Sequence, residues 1–349
     1  MTRNKMRIAC FLERENIPSE TFITKEIEAF RSFSAEVDIF PIIRKYNPAY
    51  YFRPYLLNQA NKKYDIVLAH YLAAPSREAY RLFGKSDIPL FISCHANDIF
   101  TYTMPKAEKK RLLKRADGII TCCQGNLAYL KDEYPEFKDK INLFYHGVKI
   151  DFAECPQHDF FRNESVHLLF VGRLVEKKGV LPFINLLKEA RSSIKRKIRL
   201  TIIGSGPEEE AILRAATNSG FSEDITFLPF TKQDELTKYY LAADFLVFPS
   251  IIAKNNDRDG LSNVILEAFA HGLPVIATPI NGTLDAVKDN ETGFLFDHRN
   301  TEKIIEILNN ANSEKLSAIA KNSFSIAKNQ FDHKITTKQL YDFFSSVLG

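Results

Sequence analysis

The sequence predicts an α/β protein made of two doubly wound domains in series. Three observations carry that prediction. Short runs rich in Val, Ile and Phe alternate with amphipathic stretches along the chain. The alternation pauses once, near the middle, in a polar segment without clear periodicity. The length of 349 residues also exceeds what one hydrophobic core usually organises.

The first half offers six strands: Met6–Leu12, Val37–Ile42, Tyr64–His70, Ile88–His95, Gly118–Cys122 and Ile141–Tyr145. Helical patterns fall between some of them, at Ser19–Phe33 and Ala107–Arg115. Near-continuous apolar runs of this length suit strands buried on both faces of a parallel sheet. Strict alternation with helices predicts right-handed crossovers. The pause is Lys149–Ser165, KIDFAECPQHDFFRNES, read as the linker. Six more strands follow: Val166–Val171, Ile198–Ile203, Ile225–Pro229, Phe245–Pro249, Val275–Thr278 and Gly293–Phe296. In GSGPEEEAILRAA, Pro207 suits a first helical turn, and Glu208–Glu210 complement the positive end of the helix dipole. Ser313–Leu348 reads as helical, with breaks near Gln330–His333. The expected domains are residues 1–155, residues 156–330, and a last helix over 331–349 that returns to the first domain. Both domains then read as Rossmann-like, and open α/β sheets bind ligands outside the carboxyl ends of their strands.

The composition narrows the class. Hydrophobic content of 45% and charged content of 26% are ordinary for a globular protein. A net charge of +4 argues against a nucleic-acid partner, which would need a concentrated basic face. No apolar run approaches the roughly 20 residues of a membrane span. The opening MTRNKMRIACFLEREN has too short an apolar stretch for a signal segment. Five scattered cysteines lack C-x-x-C metal spacing and suit reduced thiols in the cytoplasm. Cys122 and Cys123 read as two small residues at a strand end.

Several constellations can carry chemistry. In Val171-Gly-Arg-Leu-Val-Glu-Lys-Lys-Gly179, Gly172 allows a tight turn after a strand. Arg173 and Lys178 then sit near a helix N-terminus, two cations suited to a diphosphate. An ordinary charged loop explains that motif alone equally well. In DGLSNVILEAFAHGLPVIAT, Asp259 and Glu267 are separated by seven residues. A helix starting near Ser262 would put Glu267 in its second turn and leave Ser262, Asn263 and Val264 offering backbone N–H groups. Glu267 suits a ribose diol and Asp259 suits sugar hydroxyls. A capped core helix with two incidental acids is the bland alternative. His95-Ala-Asn-Asp98 follows a strand end, where His95 or Asp98 would orient hydroxyls or move a proton; a satisfied structural histidine is the default for a lone His. His70 reads as structural. The loop Arg14–Thr21 lacks the dinucleotide fingerprint, and Ser19 or Thr21 would cap the helix after it. The basic stretch Lys106–Arg115, with Tyr50–Tyr55, would suit an anionic membrane surface or a lipid-phosphate acceptor, although a solvated face explains the charges alone.

These residues resemble the retaining glycosyltransferases of family 4. The resemblance spans nearly the whole chain and is strongest in FVGRLVEKKG, IIGSGPEEE, FLVFPS, DGLSNVILEAFAHGLPVIATPINGTLDAV and ETGFLF. FDHKITTKQLYDFF resembles the family's final helix. IPSETFITKEIEAF and SCHANDIF resemble the members that build bacterial capsule, exopolysaccharide or O-antigen units. The resemblance implies the GT-B fold, two Rossmann-like domains facing across a cleft. It implies a UDP- or GDP-sugar as co-substrate, no separate cofactor and no metal. It also implies a saccharide or lipid-linked saccharide acceptor, and a cytoplasmic enzyme that can touch the inner face of the membrane through its first domain.

Residue by residue, Arg173 and Lys178 would bind the donor diphosphate and Glu267 the ribose. Asp259 would meet the donor sugar, with His95 beside it. Gly172, Gly204 and the backbone from Leu261 through Ser262 and Asn263 to Val264 would complete the donor site. The sequence departs from the family where Asp259 replaces a glutamate, Asn281-Gly282 a Gly-Gly pair, Asp285 a glutamate, His146 an asparagine and Lys149 an aspartate. The implied reaction retains the anomeric configuration. The acceptor proton leaves late, to the departing phosphate, because no side chain is an obvious dedicated base. An epimerase or phosphorylase on the same scaffold, and a non-catalytic nucleotide-sugar binder, are the rival readings.

Overall fold

The computed structural model describes residues 5–14, 21–42, 63–101, 104–220 and 222–349. Ser19, most of the loop Arg14–Thr21 and the Tyr50–Tyr55 stretch lie outside them. The chain divides into two compact units, Met1–Gly147 with His333–Gly349, and Val148–Asp332.

In the first unit the chain runs β1 (Arg7–Leu12), α1 (Thr21–Ser32), β2 (Glu36–Pro41), β3 (Ile66–His70), α2 (Ala74–Phe83), β4 (Leu90–Cys94), α3 (Ala96–Phe100), α4 (Lys106–Arg115), β5 (Gly118–Thr121), α5 (Gln124–Glu133) and β6 (Ile141–Leu143). Its six described strands are all parallel, in the order β2-β1-β3-β4-β5-β6. Every residue of β3 and β4 is buried, as strands covered on both faces require. Alternate residues feed two cores: Ala9 and Phe11 pack with Phe40, Val67 and Phe83, while Ile8 and Cys10 pack with Ile27, Phe30 and Phe91.

The second unit runs β7 (Ser165–Val171), α6 (Val180–Ala190), β8 (Lys197–Ile203), α7 (Glu209–Thr217), β9 (Ile225–Leu228), α8 (Gln233–Ala242), β10 (Phe245–Phe248), α9 (Asn263–Ala270), β11 (Val275–Ala277), α10 (Thr283–Ala286), β12 (Gly293–Leu295), α11 (Thr301–Asn310) and α12 (Ser313–Gln330). Its parallel strands lie in the order β12-β11-β10-β7-β8-β9. Counted from β7, that is the 3-2-1-4-5-6 order of the Rossmann fold, with its switch point between β7 and β10. Asn300 and Asn312 cap α11 and α12 by accepting the N–H of the third residue on. The stretch read as a linker packs on this unit, where Phe160 joins the core.

One helix start differs from expectation. Helix α7 begins at Glu209, two residues past Pro207, because the N–H of Glu209 donates to the Gly206 carbonyl at 3.0 Å and closes a tight turn over Pro207 and Glu208; the Glu208 N–H donates to the Leu174 carbonyl at 3.0 Å. Gly206 presses on the same carbonyl so closely that a Cβ would lie 2.3 Å from it. The contact between neighbouring loops takes the turn that Pro207 would have opened.

The last helix, α13 (His333–Val347), belongs to the first unit. Leu340 and Phe344 are buried against α1 and the sheet, with the Phe344 ring 5.9 Å from that of Phe30 and 4.6 Å from that of Phe91. No described helix is long and apolar enough to cross a membrane. Phe344→Ala should remove about 3–5 kcal/mol of stability, through lost burial and the cavity left behind. Urea unfolding checks this, and a loss under about 1 kcal/mol would contradict the packing described.

Candidate functional site

In the second unit, the loops after β7 and β10 open at the switch point and are tied together there. The backbone after β7 is shaped by close contact with its neighbour. Gly204 has φ +145°, and a Cβ on it would sit 1.9 Å from the Gly172 carbonyl oxygen. The N–H of Gly172 donates to Ile203 and that of Leu174 to Ser205. Backbone approach therefore requires glycine at Gly204, and a φ of +154° favours it at Gly172, whatever binds above them.

Beyond this turn Arg173 is exposed, and its guanidinium has no partner among the described residues. Lys178 is largely buried and donates to Asp259 Oδ2 at 2.8 Å, with its ammonium 5.0 Å from the centre of the Phe248 ring. Ser250 Oγ donates to the same carboxylate oxygen at 2.7 Å. Lys177 escaped sequence reasoning. It is 7% exposed, donates to Asp257 at 3.0 Å and lies 3.6 Å from Asp259 Oδ1. Burial alone would raise the Asp259 pKa, but the charges of Lys178 and Lys177 outweigh it and hold the carboxyl below its ordinary value. Asp259 is ionised at neutral pH. Asn281 holds the same loop by donating to the Asp259 carbonyl at 2.8 Å. Its φ of +44° is a region asparagine enters more readily than most residues, which accounts for Asn at the first glycine of the usual pair.

Helix α9 starts at Asn263 with Ser262 as its N-cap, as the sequence suggests. The Ser262 side chain makes no capping hydrogen bond and no acid lies in the first turn. Asn263 and Val264 thus occupy helix positions whose N–H groups lack intrahelical acceptors, while Leu261 is buried just before them. Glu267 lies in the second turn and is 8% exposed. Its carboxylate accepts from Gln233 Nε2 at 2.6 Å and from the Tyr240 hydroxyl at 2.8 Å. Burial raises its pKa, and those two donors oppose the rise. Gln233 and Tyr240 also escaped sequence reasoning. Their seven-residue spacing on one amphipathic helix was the available signal.

His95 lies in the first unit, at the carboxyl end of β4. Its N–H donates to Asp98 Oδ1 at 2.8 Å, and the N–H of Leu72 donates to Asp98 Oδ2 at 2.7 Å. Asp98 is a structural anchor beneath His95, buried at 2% exposure. The His95 ring packs 4.6 Å from Tyr71 and 5.0 Å from Phe22. Its pocket is also lined by Glu26, Cys122 and His146. His146 stacks on Phe22 at 4.7 Å, and His70 is fully buried 3.4 Å from Glu26. All five cysteines are free thiols. Among the described residues no group of three or more His, Cys, Asp or Glu side chains is arranged to hold a metal ion.

Burial pushes the Asp98 carboxyl up to about 6 from an ordinary 3.8. The folded protein therefore keeps a proton there that the unfolded chain has already lost, and stability falls as pH rises between those values. Relative to Asp98→Asn, the wild type should lose up to about 3 kcal/mol between pH 4 and pH 7. Urea unfolding of both proteins at the two pH values checks the sign, and a pH-independent difference would contradict it.

Residues 153–325 match the family described as glycosyl transferases group 1, and residues 19–152 match glycosyltransferase family 4. A D-inositol 3-phosphate glycosyltransferase of Paenarthrobacter aurescens is 33% identical over 267 residues, 69% of this chain and 62% of that protein. The amylovoran biosynthesis glycosyltransferase AmsK of Erwinia amylovora is 30% identical over 174 residues, 49% of this chain and 41% of that protein. The chain thus spans less than two thirds of the length of either relative. Among solved structures, HepE of Anabaena, crystallised with UDP and glucose, superposes with a TM-score of 0.73 at 17% identity, covering 98% of this chain and 100% of HepE. That likeness is one of fold, two Rossmann-like units in the GT-B architecture. With the two family matches running unbroken from residue 19 to residue 325, the chain belongs to the group 1 glycosyltransferases.

Proposed function

We propose that this protein moves a sugar from a nucleoside-diphosphate sugar to a hydroxyl of a saccharide or lipid-linked saccharide. We propose further that transfer retains the anomeric configuration, needs no metal ion, and serves surface-polysaccharide assembly at the cytoplasmic face of the membrane. The observation that carries the reading is the convergence at the β7–β10 switch point. Exposed Arg173 stands after β7, Lys178 is held by Asp259, and α9 begins at Asn263 with Glu267 one turn on.

Each group has a role in this chemistry. Negative charge grows on the departing diphosphate as the glycosidic bond breaks. Arg173 and the first N–H groups of α9 would meet it, with no reorganisation required at the moment of reaction. An ammonium has three N–H donors, and Asp259 takes one from Lys178, which leaves two for phosphate oxygens. Asp259 would reach the donor sugar with its remaining lone pairs, Glu267 would hold the ribose, and Gly172, Gly204 and the Leu261–Val264 backbone would line the approach. His95 would stand near the reacting carbon. With no dedicated base assigned, the acceptor proton passes to the leaving phosphate. UDP, bound by HepE, is the first nucleotide to test, with GDP beside it.

A second reading is a nucleotide-sugar binder without transfer, favoured by the engagement of Asp259 with two lysines and a serine. A transfer assay with UDP- and GDP-sugars separates the two. Arg173→Ala should lower transfer about 100-fold or more with the fold retained, as loss of a preorganised charge-stabilising group does, and Glu267→Ala should lower it strongly by removing the ribose contact that positions the donor. Turnover should survive EDTA. Wild-type-like turnover in either variant would overturn the residue roles, and donor binding without transfer or hydrolysis would favour the second reading.

A further inference from the structure

Helix α8 presents Gln233, Thr237 and Tyr240 at spacings of four and three residues, so that all three lie on one face. That face meets Glu267 of α9 and His271, the residue at the helix's C-cap, four residues on. The seam is polar and hydrogen-bonded across its length. Gln233 and Tyr240 donate to opposite oxygens of Glu267, at 2.6 and 2.8 Å. His271 Nδ1 lies 2.7 Å from the Glu267 carbonyl, and its Nε2 lies 3.2 Å from Thr237 Oγ1. The carbonyl can only accept, so Nδ1 carries the proton and Nε2 accepts from Thr237. The imidazole stacks against Tyr240 at 4.8 Å and 24°, and Tyr240 is 1% exposed. Ring and hydroxyl are thereby held in one orientation.

A carboxylate has about four acceptor positions, two on each oxygen. The seam fills one on Oε1 and one on Oε2. It leaves one on each, a matched pair suited to two adjacent hydroxyl donors. We propose that Gln233 and Tyr240 are positioning residues that aim Glu267 at a vicinal diol, so that the site takes ribonucleoside diphosphates and rejects their 2′-deoxy counterparts. This rests on the reading of Glu267 as the ribose contact. A 2′-deoxy nucleotide supplies one hydroxyl where two are expected, and leaves a buried oxygen short of a donor. A site built to hydrogen-bond a hydroxyl discriminates strongly against a ligand that lacks it.

The test compares the affinities of UDP, 2′-deoxy-UDP and pyrophosphate for the full chain by calorimetry, in wild type, Tyr240→Phe, Gln233→Ala and Glu267→Gln. Wild type should prefer UDP over 2′-deoxy-UDP by about 10-fold or more, and Tyr240→Phe should bring that ratio below about 3-fold while pyrophosphate affinity stays unchanged. Gln233→Ala, at an exposed helix start, should lower the ratio too and covers the case in which Tyr240→Phe fails to fold. A purely structural role would move the thermal midpoint and leave the ratio alone. If Glu267→Gln lowers the ratio while both positioning variants keep the wild-type value, the positioning role is overturned and the ribose reading stands. If wild type shows no preference for UDP, or Glu267→Gln leaves the ratio intact, the ribose reading fails and the inference falls with it.

Discussion

The buried ion pair between Lys178 and Asp259 is the constraint on which the second unit's site depends. The two side chains are only 12% and 14% exposed. Neither would be tolerated there alone, because an unpaired buried charge costs several kcal/mol. The pair joins the loop after β7 to the loop after β10, the two strands that flank the switch point. Lys177 adds a second cation on Asp259, Ser250 a hydroxyl and Asn281 an amide to its carbonyl. The backbone that enters α9 is thus held by one residue through both its side chain and its carbonyl. Orientation at the start of α9 then follows from fixed geometry, and a preorganised anion site needs that more than it needs added charge.

Glycine closeness supplies the other half of this rigidity. The turn after β7 leans on the turn after β8 with no side chain between them, Gly204 against Gly172 and Gly206 against Leu174. Backbone contacts of this kind leave little room for adjustment. The expected donor groups therefore rest on a frame set by main-chain packing, with Arg173 as the exposed member, without a partner among the described residues.

Much of the fold was legible because buried parallel strands write themselves as short apolar runs. All twelve expected strands appear, with ends moved by one or two residues where a run continues into a loop, as at Ile88 and Tyr145. The start of α9 was legible from Ser262 and the apolar residues that follow. The start of α7 was not, because a tight turn closed by the Glu209 N–H on the Gly206 carbonyl, packed against the neighbouring loop, takes up Pro207 and Glu208. Asp259 and Glu267 stood out through their spacing around a helix start. What surrounds them did not. The approach of α8 to α9 brings Gln233 and Tyr240 to Glu267 from some thirty residues away in sequence, and Lys177 looked like any lysine beside another. In the first unit, Asp98 read as a partner in chemistry, and its two backbone bonds show it holding the chain around His95.

The most direct measurement is a crystal structure of this protein with UDP. The account predicts the diphosphate within hydrogen-bond distance, about 2.7–3.2 Å, of Arg173, Lys178 and the first N–H groups of α9, with both ribose hydroxyls on Glu267. A nucleotide seated elsewhere, or one whose diphosphate turns away from Arg173 and the start of α9, would contradict it.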